Sequence, residues 1–237
     1  MNAKANRLAG LKGQPLESRR AFLQKSGAAM LASGLLFTAC RDDEMMPMPM
    51  MNEASLGTGD VAVLNYAYAL EQLEAAFYTA VVNNNFYPQA TDEEKRILSD
   101  LMKHEVAHRD FLKVAIESVA QPLPTVEFDF SSINFGNRTS VLMAAKTFED
   151  LGVGAYNGAG QLLQSPDLLV IAGKIVSIEA RHAAAIRSIL DADPTSFAGD
   201  DIIDMNGLDL ALQPADVFTA AASFIKTSID ISGMPSA

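Results

Sequence analysis

A chain of 237 residues that is 49% hydrophobic and 20% charged has room for one domain and a leader, and is too apolar for global disorder. Its single cysteine, Cys40, excludes internal disulfides, thiolate metal sites and a cysteine nucleophile in the folded domain. The formal charge of −11 makes nucleic acid a poor partner, because an acidic surface repels phosphate backbones.

Residues 1–39 read as an export signal. The stretch from Ser18 has a basic region followed by an apolar run over Gly27 to Ala39. Ser18, Arg19, Arg20, Phe22, Leu23 and Lys25 resemble the twin-arginine pattern. The run is short for a membrane span. It ends in Phe37-Thr38-Ala39-Cys40, which resembles a lipobox with Phe in place of Leu, so the expected product begins at a lipidated Cys40 anchored in a membrane. Plain cleavage near Ala39 is the alternative. The leader carries six basic residues and one acidic one; without it 12 Lys and Arg face 28 Asp and Glu, a formal charge of −16. Localisation is then the periplasm or cell envelope.

Residues 40–59 read as a linker, rich in acidic residues, Pro and Gly and without periodicity. Five methionines lie between Met45 and Met51; thioethers can hold Cu(I), but such a run serves equally as a tether.

Four long helices are predicted over 60–192, and with them an all-α fold. The first covers about Val61 to Val82 with Asp60 as N-cap and an inner face of Leu64, Ala67, Glu71, Glu74, Tyr78 and Val81. The second covers about Asp92 to Ser118, opened by a Thr91/Glu94 capping box, with Leu98, Leu101, Glu105, His108 and Leu112 inward. Some twenty residues rich in Pro, Asn and Ser follow, a length suited to crossing a whole bundle. The third covers about Ser140 to Leu163, with Leu142, Ala145, Glu149, Gly152 and Tyr156 inward. Its run "GVGAYNGAG" follows no strand, so it is no phosphate loop; close packing of small residues explains it, and access to a buried site is the alternative. The fourth runs from Pro166, capped by Ser165, to about Leu190, with Ile175, Glu179, His182 and Ile186 inward. The C-terminal segment 193–237 is a polar loop and then a shorter fifth helix from about Pro214 to Ile231.

Each inner stripe is interrupted at its middle by a carboxylate: Glu71, Glu105, Glu149 and Glu179. His108 and His182 follow the second and fourth by three residues, which places each Glu-x-x-His pair on one helical face. Four ionised carboxylates inside a bundle cost several kcal/mol each when unpaired, and these stripes carry no lysine or arginine. Two divalent cations would balance the four charges, with the imidazoles as neutral donors. Glu74 also faces inward and competes with Glu71 for the same role.

One Glu from each of two helices and Glu-x-x-His from each of two others resembles the ferritin-like di-iron carboxylate superfamily. The order Glu71, Glu105-Val-Ala-His108, Glu149, Glu179-Ala-Arg-His182 matches that family's chain order, and the intervals of 34, 44 and 30 residues follow its rhythm. Tyr78 and Tyr156 each stand seven residues beyond the lone glutamate of their helix. The resemblance covers about 60–192 and implies a four-helix bundle with a long crossover between its second and third helices. It implies metal ligands Glu71, Glu105, His108, Glu149, Glu179 and His182, holding two Fe ions or alternatively Mn. Metal ions and small oxidants are the implied partners, and a homo-oligomer is compatible with it. The implied activity is iron oxidation or peroxide and oxygen chemistry, with Tyr78 and Tyr156 placed to hydrogen-bond a ligand or quench a radical. Rivals are a dimanganese catalase-like enzyme, a structural lipoprotein with a vacant site, and a zinc peptidase. The last rests on His104-Glu105-Val106-Ala107-His108, an H-E-x-x-H match. It leaves Glu71, Glu149, Glu179 and His182 without purpose, and makes His104 otherwise a half-exposed flank residue.

Overall fold

A computed structural model describes residues 53–191 and 193–236. The leader, Cys40 and the methionine run lie outside them. In chain order the elements are β1 (Ala54–Ser55), α1 (Gly59–Val82), α2 (Asp92–Glu117), α3 (Arg138–Gly160), α4 (Pro166–Leu190), α5 (Pro214–Ala221) and β2 (Ile229–Asp230), with short 3-10 turns at Tyr87–Gln89 and Ser196–Ala198. The fold is the all-α ferritin-like bundle expected, with an added C-terminal helix. α1 packs mainly on α2, and α3 on α4; α1 also meets α3, and α2 meets α4.

The helix starts are set by local chemistry. Thr91 and Glu94 form both halves of a capping box at α2, and Ser165 accepts the Leu168 N–H ahead of Pro166 in α4. Asn137 caps α3 two residues earlier than expected. Asp60 does not cap α1: Thr58 holds that position, and the Asp60 carboxylate accepts the backbone N–H of Gln164 and Ser165 instead. It thus ties the start of α1 to the turn between α3 and α4.

The crossover, residues 118–137, runs along α1. Asn65 accepts the Leu123 N–H, Gln72 accepts the Val126 N–H, and beyond the end of the helix the Phe86 N–H donates to Phe135 C=O. These anchors advance together along both segments, so the connection traverses the bundle. They also explain why α1 is buried on nearly every side, Asn65 and Gln72 included. Buried polar groups need partners, and here the partners are the crossover's own peptides.

Two corrections concern the ends. The fifth helix stops at Ala221, not near Ile231. Beyond it the backbone is used in pairing: Lys226 N–H donates to Glu127 C=O and Asp129 N–H to Phe224 C=O. The β-branched Thr227, Ile229 and Ile231 suit that extended path, and β2 pairs in parallel with β1. The stretch read as linker is therefore part of the fold from residue 54, where β1 is followed by fully buried Leu56.

The core has two apolar halves. One gathers Tyr66, Leu70, Leu112, Ile116, Ala155 and Ile175; the other gathers Leu73, Phe77, Leu101, Leu142, Phe148 and Ile186. On each helix the central carboxylate falls between the two, so a polar layer lies across the middle of the bundle. Among the described residues no helix is long and apolar enough to cross a membrane.

Candidate metal centre

That layer is built by one buried glutamate from each long helix: Glu71 on α1, Glu105 on α2, Glu149 on α3 and Glu179 on α4, all with no solvent exposure. His108 and His182 lie one turn beyond Glu105 and Glu179. The six residues form two overlapping quartets, Glu71/Glu105/His108/Glu179 and Glu105/Glu149/Glu179/His182. Within each, one ligand atom per residue lies within 4.8 Å of the others.

The two quartets mirror each other. His108 Nδ1 stands 2.8 Å from Glu179 Oε1 and 3.4 Å from Glu105 Oε2. His182 Nδ1 stands 2.7 Å from Glu105 Oε1 and 3.2 Å from Glu179 Oε2. Glu105 and Glu179 thus turn one oxygen to each histidine, while Glu71 and Glu149 each serve a single quartet. The tyrosines cross between halves. Tyr78 Oη of α1 donates to Glu149 Oε1 of α3 at 2.5 Å, and Tyr156 Oη of α3 donates to Glu71 Oε1 of α1 at 2.5 Å.

Apart from these close contacts with the two imidazoles, the second oxygens of Glu71 and Glu149, both oxygens of Glu105, Glu179 Oε1 and His108 Nδ1 are buried and have no other partner. Four buried carboxylates around two imidazoles leave more acceptors than donors, an imbalance that calls for cations or added protons. These side chains are carboxylate and imidazole donors turned towards common points, which fits oxygen- and nitrogen-loving divalent cations. The cluster can hold metal ions.

Without a metal, protons take over the balance. Burial, reinforced by the Glu179 charge, raises the Glu71 carboxyl well above its usual range. Burial likewise raises Glu149 to about 8, against the pull of a hydrogen bond with His182. Glu105 resists burial through its bonds with His108 and His182 and drops to about 2. Burial disfavours both imidazolium ions, yet the surrounding carboxylates outweigh it and lift His108 and His182 to about 12. Tyr78 and Tyr156 are pushed up by burial and by the carboxylates they touch, so both stay phenols.

All six expected ligand residues and both tyrosines therefore meet at this layer. Glu74 is buried beside it but belongs to neither quartet. Burial, together with the charges of Glu179, Glu105, Glu149 and Glu71, raises its carboxyl well above the usual range. Its Oε1 lies 2.8 Å from where a side chain on Gly152 would begin, so that glycine makes room for it. Glu71, Glu74 and Tyr78 on α1 match Glu149, Gly152 and Tyr156 on α3 position by position. The sequence shows this echo at the glutamates and tyrosines; extending it to Glu74 and Gly152 is the step that points to their pairing. Gly154 and Gly158 admit a strap of chain at Leu212, whose N–H donates to Gly154 C=O. The glycine run thus makes room for a side chain of α1 at Gly152 and for the strap at Gly154 and Gly158, and is no phosphate loop.

His104 joins neither quartet. It is exposed on α2, with Nδ1 2.9 Å from His182 Nε2. A peptidase would need His104 and His108 on one ion, and the geometry does not assemble that pair.

The family described as ferritin-like domain matches residues 59–192, more than half of the chain. The protein belongs to the ferritin-like domain family. The matched span holds all four long helices and every residue of the two quartets. A search of curated proteins finds no match to this ferritin-like chain.

Proposed function

We propose that this ferritin-like protein holds two iron ions, one in each quartet, and uses them at the cell envelope to oxidise Fe(II) or to consume peroxide or dioxygen. The observation that carries this reading is the sharing of Glu105 and Glu179 between the quartets. Each turns one oxygen to each histidine, so each could serve an ion in either quartet.

In this reading Glu71 with His108 completes one ion's ligands, and Glu149 with His182 the other's. Bound iron would supply one-electron steps between Fe(II) and Fe(III), coupled to reduction of dioxygen or peroxide. The residues supply the rest. Tyr78 and Tyr156 hold Glu149 and Glu71 by one oxygen, which leaves the other free to face a cation. The apolar halves above and below the layer exclude bulk water and confine access to small molecules. The neutral phenols lie close enough to donate a proton, or an electron when a turnover misfires.

Localisation is part of the same proposal. The twin-arginine pattern and Cys40 would deliver the folded protein to the envelope on a lipid anchor, with the acidic residues after Cys40 as tether. Cys40→Ser is expected to release the protein from the membrane fraction; a variant that stays membrane-bound refutes the anchor.

Anaerobic titration with Fe(II), followed by addition of dioxygen or peroxide, tests the chemistry. The expected result is two Fe(II) per chain, oxidised together when the oxidant is added. Binding of zinc with no uptake of iron would refute the di-iron reading, and casein cleavage lost in Glu105→Gln would restore the peptidase.

A further inference from the structure

The second histidine of the layer has an outer partner that the ligand set does not use. His104 precedes His108 by one helical turn on α2, and its ring lies nearly coplanar with that of His182, edge to edge, with centroids 5.1 Å apart and planes 11° from parallel. His104 Nδ1 and His182 Nε2 are 2.9 Å apart. The other nitrogen of His182, Nδ1, faces Glu105, Glu179 and Glu149. The His182 ring is thus held at both ends. Among the described residues no hydrogen bond reaches His108 Nε2, so the two imidazoles of the centre differ in this respect.

A hydrogen bond between two imidazole nitrogens needs one N–H and one lone pair. Were His104 to donate, neutral His182 would keep its proton on Nδ1, aimed at the carboxylates, and would have no lone pair for a cation. With His182 as donor from Nε2, its lone pair lies at Nδ1, inside the quartet. Outer partners of this kind fix tautomer and ring orientation of metal-binding histidines.

We propose that His104 is a positioning residue: its Nδ1 accepts the Nε2–H of His182 and so holds the Nδ1 lone pair of His182 towards Glu105, Glu149 and Glu179, tightening one of the two cation sites and not the other. The inference rests on the two-ion reading. It also gives a purpose to the first histidine of the H-E-x-x-H match.

Co(II), followed by its visible absorption, is the probe, added to the wild-type chain, His104→Phe and His104→Gln. Phe keeps an aromatic ring at the position but accepts nothing; Gln Oε1 can accept. The position is exposed, and melting of the metal-free variants checks that they fold. His104→Phe is expected to weaken one of two Co(II) ions by about 10- to 100-fold, with the other unchanged, and His104→Gln to restore binding to within about threefold. Wild-type binding of both ions in His104→Phe, equal weakening of both, or a Gln variant as poor as Phe overturns the proposal. The hydrogen bond is read separately by nitrogen-15 NMR of the metal-free wild type. An unprotonated His104 Nδ1 coupled to the Nε2 proton of His182 is expected, and a protonated Nδ1 overturns the assignment. Wild-type protein that binds no Co(II) defeats the two-ion reading itself, and the NMR result then judges the hydrogen bond on its own.

Discussion

Glu105 and Glu149 are both buried glutamates on inner stripes, yet they stand in opposite states. Glu105 has a histidine at each oxygen and stays ionised down to about pH 2, whereas burial keeps Glu149 protonated up to about 8. The difference follows from sharing: a carboxylate common to both quartets meets two imidazoles, and one at the edge meets a single imidazole and a phenol. Substitution should therefore act unequally. Glu105→Gln is expected to abolish binding of both ions, and Glu149→Gln to remove one, as counted by anaerobic Fe(II) titration. The same residues set a pH dependence. Glu149 is raised above its unfolded value near 4.3, so its stabilising effect is full below that pH and is lost as pH rises to about 8. His108 and His182 are raised too, and their effect is lost from about 6.5 upward. Glu105 is depressed, and its effect is lost only as pH falls from about 4.3 towards 2. Metal-free protein should thus melt at lower temperature at pH 8 than at pH 5. Divalent metal, which replaces those protons, should bind more tightly at pH 8. A metal-free melting temperature that rises over this interval would contradict the proton inventory.

At the level of the elements, the four long helices and their inner stripes were legible because a period near 3.6 persists over six or more turns and the caps carry their own chemistry. That these six residues meet in one layer was legible for a related reason: a carboxylate in the middle of an apolar stripe is costly, and four at matching heights demand a common explanation. What was not legible depends on contacts between segments far apart in sequence. Asp60 looked like a cap for its own helix and instead binds the turn before α4. The segment after Ala221 looked helical by composition, but its backbone is claimed by the crossover and by β1. His104 lies 78 residues from the ring it touches, and no local pattern announces that pairing. Three variants test the packing read from the structure. A side chain on Gly158 would overlap the Leu212 carbonyl, which is backbone and cannot swing away. Gly158→Ala is therefore expected to destabilise by about 1–3 kcal/mol in urea unfolding, despite Ala's better helix propensity. Gly173→Ala in α4 meets nothing within 4 Å and is expected to stabilise by about 0.4–1 kcal/mol. Gln72→Ala removes the partner of the buried Val126 N–H and is expected to cost about 1–3 kcal/mol.

For the whole molecule, the bundle is two apolar bodies joined through a layer of acid groups. Such a layer is a liability without cations, because it replaces core by groups that must be protonated or paired. The crossover along α1 and the C-terminal strap over α3 hold the four helices in place around it, so the arrangement does not depend on metal alone. Arg187, buried between Asp150 and Asp201, fixes that C-terminal segment from the α4 side. The layer is thus kept by the fold at a cost that metal binding would offset. The central claim is that two ions share Glu105 and Glu179. Its most direct test is anomalous diffraction at the iron edge from crystals of anaerobically Fe(II)-loaded protein. Two peaks are predicted, one beside His108 and Glu71 and one beside His182 and Glu149, with both shared glutamates between them. A single peak, or peaks only outside the layer, would contradict the account.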